Sequence, residues 1–306
     1  MDKGRSVGVI GLGAMGRGIA SSLLRAGFAT HAYDVQAAAL AEFAAQGGVA
    51  AASAAGLGAA CDTVFVVVVN ARQTEQALFG PAGAVEGLRP GSVVLACSTV
   101  AAEVAEGLGA RLAEHGILMI DSPLSGGAAK SALGQLTMMA SGAPEAFDKV
   151  QEVLAAVAAK VYRLGDAPGA GSRIKMINQL LAGVHIAAAA EAVALGLKAG
   201  VDLTTLYDVI SNSAGSSWMF QNRVPHIIAG DYTPLSAVAI FVKDLGIVLD
   251  AARASSFPLP LTAAAHQMFL MAAAAGHAGE DDSAVVKIFP GIELPAKGGE
   301  TGTAGR

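Results

Sequence analysis

Residues 6–34, SVGVIGLGAMGRGIASSLLRAGFATHAYD, restrict the N-terminal half of the chain to very few folds. An apolar run, SVGVI, feeds glycines at 11, 13 and 16. A helical pattern begins near Ala14, and a second β-rich run ends in Tyr33-Asp34. In a chain with 38 glycines the G-x-G-x-x-G spacing alone can arise by chance. The strand before it, the helix after it and the carboxylate roughly twenty residues on turn it into a βαβ unit in which each glycine has a task. Gly11 turns the chain tightly, Gly13 lets the backbone approach a pyrophosphate, and Gly16 lets the helix pack closely on the strand. The helix start adds unpaired N–H groups and a partial positive charge. Gly11, Leu12, Gly13, Ala14, Met15 and Gly16 are therefore expected to hold a dinucleotide. A carboxylate at Asp34 accepts hydrogen bonds from both ribose hydroxyls and repels a 2′-phosphate, so the expected cofactor is NAD, not NADP.

Further β-rich runs follow at 63–69, 92–98, 116–121, 136–142 and 160–165, separated by helical patterns. Within the first of these, VFVVVV is apolar at every position, as a central parallel strand covered on both faces requires. After residue 167 the β signal stops. Helical patterns occupy the next thirty residues and then about 203–213, 218–229, 236–254 and 260–276, with breaks at Gly215, Gly230, Pro234 and FPLP. The expected fold is α/β: a Rossmann-type doubly wound sheet over 1–167, an all-helical domain over 168–290, and a Gly-rich flexible tail over 291–306.

Composition narrows the function classes. The formal net charge is −5 with no Lys/Arg cluster, which argues against nucleic acid as a partner. Cys61 and Cys97 are too few for a disulfide framework, and nothing near them has metal-ligand spacing, so no metal is expected and a reducing cytoplasm fits. The N-terminus runs into the first strand without a signal-peptide core. The apolar stretch LLAGVHIAAAAEAVALGLKAG is interrupted by His185, Glu191 and Lys198 and reads as a buried helix, not a membrane span.

Ligands bind outside the carboxyl ends of parallel strands. Asn70 and Thr99 stand at two such ends and are candidates for the cofactor edge; either could also be an ordinary cap of the next helix. On the substrate side, Ser125-Gly126-Gly127 in DSPLSGG exposes backbone N–H groups that could form an anion nest for a carboxylate, or simply a loop. Lys175 in GAGSRIKMINQ is followed at helical spacing by Asn178 and Gln179. Buried near a cleft between domains, Lys175 would lose solvation and move toward the pKa range useful in acid-base catalysis; otherwise it extends to solvent. Lys243, next to Asp244 in FVKDL, would favour an anionic substrate and a neutral Lys175 if it faced the same cleft, and by itself reads as a surface pair.

Taken together, GLGAMG, CST at 97–99, DSPLSGG, GAGSRIKMINQ and FVKDL, in this order and spacing over residues 6–289, resemble the β-hydroxyacid dehydrogenase family. That resemblance implies an NAD-dependent enzyme with Lys175 as the catalytic residue, Ser125, Gly126 and Gly127 on the substrate carboxylate, Lys243 beside nicotinamide and substrate, and Thr99 on the cofactor. The family commonly has Asn four residues after the lysine, where this chain has Gln179, with Asn178 before it. Segments around His185, around Trp218-Met219-Phe220 and at EDDSAVVKIF resemble the L-threonate dehydrogenase branch. The implied substrate is a small anionic hydroxy acid, and the apolar interdomain helix suggests a homo-oligomer, dimer or tetramer.

Overall fold

The computed structural model describes residues 6–298. The chain begins with β1 (Ser6–Ile10), α1 (Ala14–Arg25), β2 (Ala29–Tyr33), α2 (Ala37–Ala45), β3 (Val49–Ala50), α3 (Ala54–Ala60), β4 (Thr63–Val66), α4 (Ala71–Phe79), β5 (Val93–Ala96), α5 (Ala102–Glu114) and β6 (Leu118–Asp121). The six strands form one sheet in the order β3-β2-β1-β4-β5-β6, parallel throughout. The order reverses between β1 and β4, so their carboxyl ends flank the crevice where such sheets bind ligands.

The continuous apolar runs have the expected cause. Alternate residues of one strand serve two cores. Val7, Val9, Phe65, Val93 and Leu95 pack with Ile19 and Leu23 of α1 on one face. Ile10, Val64, Val66, Val94 and Ala96 pack with Leu57, Leu78 and Leu112 on the other. β4 and β5 are buried at every residue, whereas β2, nearer the edge, alternates.

The remaining β-runs do not extend this sheet. β7 (Leu124–Ser125), α6 (Gly127–Ala132), β8 (Leu136–Ala140), α7 (Pro144–Val157) and β9 (Ala158–Arg163) form a second sheet, β7-β8-β9, with β7 antiparallel to β8. Ser122 and Pro123 alone separate β6 from β7, and a parallel crossover needs roughly a dozen residues. β8 still contributes Leu136, Met138 and Ala140 to the core shared with α1.

The helical part comprises α8 (Ala170–Lys198), α9 (Leu203–Ser211), α10 (Trp218–Ala229), α11 (Val238–Ala254) and α12 (Pro260–Ala272), followed by a 3-10 segment at Asp282–Ile288. Asp202 and Ser217 cap α9 and α10 by accepting from the N–H groups of Thr205 and Phe220. Ile186, Ala190 and Val193 of α8 pack with Phe220, Val224, Phe241, Leu245 and Phe269. By length and composition α8, with mean hydropathy 1.8, could cross a bilayer, but half of that window is buried inside the protein, as in a core helix.

The chain divides into two compact units, Met1–Met176 and Ile177–Arg306. The division falls inside α8, whose first turn bonds to the first unit. Of the expected tail, Ile292 and Leu294 pack on the second core and Lys297 pairs with Asp231 at 3.0 Å; residues 299–306 lie outside the described residues.

A charged cluster is built into the second unit. Arg223 pairs with Asp282, which is fully buried, and His226 lies 3.2 Å from Asp281. Burial pushes the Asp282 carboxyl up to about 6 against the pull of Arg223. Asp282→Ala leaves the buried guanidinium without that carboxylate and should cost about 3–5 kcal/mol of stability. Urea unfolding measures this, and an unchanged midpoint would deny the pair its structural role.

Candidate active site

In the first unit a cavity of about 730 Å³ opens at the carboxyl ends of the central strands. Gly11, with φ +95°, makes the turn out of β1; a Cβ there would stand 2.4 Å from the carbonyl oxygen of Val67. A Cβ on Gly16 would fall 1.8 Å from the carbonyl oxygen of Gly11, so α1 approaches the turn as closely as backbone allows. At Gly13 the direction of the missing side chain meets nothing within 4 Å. Gly13 also occupies the N-cap of α1 and has no side chain to cap it, so the helix start faces the cavity.

Asp34 lines the same cavity. Its Oδ2 accepts from the N–H of Leu12 at 2.6 Å and its Oδ1 from the N–H of Gln36 at 2.8 Å. The carboxylate thus holds the glycine turn and the start of the β2–α2 loop together, with lone pairs remaining for ribose hydroxyls. Leu12 belongs to the core, and its N–H is directed at Asp34, not at a phosphate. Met15 is half-buried and its carbonyl accepts from Ser131 at 2.6 Å. An uncapped helix start, a space that a Cβ would fill and an anchored carboxylate together fit a dinucleotide.

Helix packing brings α6, which follows the Ser-Gly-Gly segment, to this cavity through Ala128 and Ala132, while Ser125, Gly126 and Gly127 themselves do not line it. Gly126 and Gly127 have φ of +127° and +71°, values that let the chain turn from β7 into α6. α6 lies against α1: Ser22 Oγ donates to the carbonyl of Ser131, and a Cβ on Gly18 would stand 2.4 Å from Ser131 Oγ. Ala128, next after Gly127, lines the cavity with Gly13 and Ala14. Ser125 is half-buried at the end of β7.

At the other strand ends the candidates differ. Asn70 is the N-cap of α4, its side chain accepting from the N–H of Gln73 at 2.9 Å, and the cavity is lined instead by Val69 and Gln73. Thr99 is half-buried beyond β5. Ser98 is tied by hydrogen bonds of 2.8 Å to Thr74 and to the carbonyl of Val68. Burial pushes the Cys97 thiol up to about 12, which leaves it no nucleophilic role near neutral pH.

Lys175 is 7 % exposed, one turn into α8. One turn further, Gln179 is equally buried; its Nε2 donates to Asp244 Oδ2 at 2.6 Å and its Oε1 accepts from Asn178 at 3.0 Å. The other oxygen of Asp244 lies 2.6 Å from Lys243 Nζ. Lys243 and Asp244 are therefore not a surface pair: Asp244 is 2 % exposed and joins two candidates of the second unit, Gln179 and Lys243. His185 is half-buried, Trp218 is exposed at the start of α10, and Phe220 stacks on Tyr207.

Arg17, Gln36 and Gln73 on the cavity wall, and also Asp244, were not singled out by sequence reasoning. Arg17 follows the last fingerprint glycine, and its charge was the available signal; it pairs with Glu42 at 3.0 Å.

Residues 6–165 match the NAD binding domain of 6-phosphogluconate dehydrogenase, and residues 169–289 match the NAD-binding domain of NADP-dependent 3-hydroxyisobutyrate dehydrogenase. The chain belongs to the 3-hydroxyisobutyrate dehydrogenase family. It is an oxidoreductase of the NAD-dependent hydroxy acid dehydrogenase class, acting on CH–OH. An L-threonate dehydrogenase of Cupriavidus necator is 67% identical over 96% of this chain and 99% of its own length. A crystal structure named as 3-hydroxyisobutyrate dehydrogenase from Salmonella typhimurium is 51% identical, with TM-score 0.89, over 93% of this chain and all of that one. Psf3 in complex with NADP+ and 2-OPP is 28% identical, with TM-score 0.86, over 92% and 99%. The family uses NAD or NADP.

In this family setting the Asp34 carboxylate is the expected discriminator. Asp34→Asn keeps one acceptor and loses the charge, and should weaken NADH about 10-fold, the scale of one charged hydrogen bond. NADPH should weaken less, narrowing the preference. Fluorescence titration with both cofactors checks this; an unchanged ratio would remove Asp34 from cofactor selection.

Proposed function

We propose that this chain oxidises L-threonate to a 2-oxo four-carbon sugar acid with NAD. The observation that carries this reading is the full-length similarity to the Cupriavidus necator L-threonate dehydrogenase. The glycine turn at 11–16 and Asp34 would hold NAD, which would supply the hydride acceptor. Backbone N–H groups of Ser125, Gly126 and Gly127 hold the substrate carboxylate and orient the carbinol carbon. Lys175, neutral, takes the hydroxyl proton on Nζ while the carbonyl forms; in reduction its ammonium returns the proton and stabilises the developing alkoxide. Lys243 favours an anionic substrate, and Thr99 contributes to the cofactor side. Gln179, longer in reach than the usual Asn, contacts substrate with an amide whose orientation Asp244 holds.

General acid-base groups typically contribute ~10²–10⁴ in rate. Lys175→Ala should therefore lose kcat on that scale while the Kd for NADH stays within about twofold. Turnover near the wild-type rate would remove Lys175 from the chemistry.

Similarity to the Salmonella 3-hydroxyisobutyrate dehydrogenase favours a second reading, 3-hydroxyisobutyrate as substrate. Initial NADH formation with L-threonate, D-threonate, D-erythronate, 3-hydroxyisobutyrate and glycerate separates the two. Selective turnover of L-threonate is expected; preference for 3-hydroxyisobutyrate would overturn the sugar-acid reading and leave the hydroxy acid dehydrogenase class intact. The same proposal takes the enzyme as cytoplasmic and homo-oligomeric. Exposed apolar side chains on α8, Leu181 and Leu195, support association.

A further inference from the structure

α8 begins without a capping side chain of its own. Its first residue is Ala170, and the residue before it is Gly169, with φ +112°. A buried helix start of this kind needs acceptors for its first N–H groups. They come from strands distant in sequence. The carboxylate of Asp121, the last residue of β6, is 1 % exposed. Its Oδ2 accepts from the N–H groups of Gly169 at 3.0 Å and Ser172 at 2.8 Å, and its Oδ1 accepts from the Ser172 hydroxyl at 2.8 Å. Ser141 completes the set: its Oγ accepts from the N–H of Gly171 at 3.0 Å and lies 3.5 Å from Asp121 Oδ2.

This junction is also rigid through its backbone. Asp121 and Ser141 exchange N–H···O bonds of 2.9 and 2.8 Å, joining the ends of the two sheets. At Gly171 a Cβ would stand 2.3 Å from the carbonyl oxygen of Met139 and 2.8 Å from that of Asp121, so the first turn of α8 sits directly on both strands. Burial raises the Asp121 carboxyl above its ordinary range, opposed by the donors from Ser172, Gly169 and Ser141. Every partner donates, which is the pattern of an ionised carboxylate.

Two residues given chemical roles above depend on this point. Lys175 follows Ser172 by three residues on α8, and Ser125 follows Asp121 by four in DSPLSGG. We infer that Asp121 is a positioning residue: by capping α8 from the end of β6, it sets where Lys175 stands relative to the Ser125-Gly126-Gly127 segment. The inference rests on the reading of Lys175 as the proton-transfer group. Its physical basis is that reacting groups tolerate little displacement, a shift of about 1 Å costing up to about 100-fold in rate.

The test is a double-mutant cycle on the full-length enzyme, using the hydroxy acid that turns over fastest, with NAD. Asp121→Asn keeps the size of the side chain but turns an acceptor into an NH₂ group facing N–H donors. It should lower kcat about 10- to 100-fold while the Kd for NADH changes less than about twofold. On a Lys175→Ala background the same substitution should change the residual rate less than about twofold, because the group it positions is gone. A similar loss on both backgrounds, or a parallel loss of NADH affinity, would show a general structural role and overturn the proposal. Wild-type kcat in Asp121→Asn beside an inactive Lys175→Ala overturns the positioning role alone. An active Lys175→Ala overturns the lysine reading and this inference with it. Should Asp121→Asn fail to fold, Ser141→Ala combined with Ser172→Ala removes both hydroxyls and keeps the carboxylate. The same separation of kcat from NADH affinity is expected there, and wild-type kcat would overturn the proposal.

Discussion

The absence of a side chain at Gly16 lets α1 begin against the carbonyl of Gly11, and much of the first unit depends on that contact. Any Cβ at this position would lift the helix from the turn. With α1 seated, its uncapped start opens onto the cavity, and its Gly18–Ser22 face becomes the surface on which α6 packs. The hydrogen bonds from Ser131 to the Met15 carbonyl and from Arg25 to the Ala132 carbonyl then hold α6 in place. One close backbone approach thus brings together the glycine turn and α6, which are more than a hundred residues apart in the chain.

Carboxylates organise what the glycines leave open. Asp34 binds the N–H groups of Leu12 and Gln36, Asp121 those of Gly169 and Ser172, and Asp244 joins Gln179 to Lys243. Asp34 and Asp121 each meet two or more N–H donors, and Asp244 meets one amide donor and the Lys243 ammonium, which offsets the cost of removing the charge from water. These are fixed polar frames on rigid elements. The Arg223–Asp282 pair performs the same fastening in the second unit.

The sequence by itself determined the features that arise within one element or between neighbours. The β1–α1–β2 fingerprint, the fully apolar central strands and the helical character beyond residue 170 were legible because periodicity and glycine spacing are local properties. Lys175 and Gln179 share a helix and could be recognised as candidates for the same reason. Only the tertiary structure decided that the runs at 136–142 and 160–165 form a separate sheet, that Asn70 is a helix cap, and that Asp244 is buried instead of exposed. It alone showed Asp121, the last residue of the β-rich run at 116–121, capping a helix 51 residues away, and Asp244 gripping an amide 65 residues away. Hydrogen bonds across such separations leave no spacing in the chain. They exist because packed sheets and helices bring those groups within reach and exclude the water that would otherwise satisfy them.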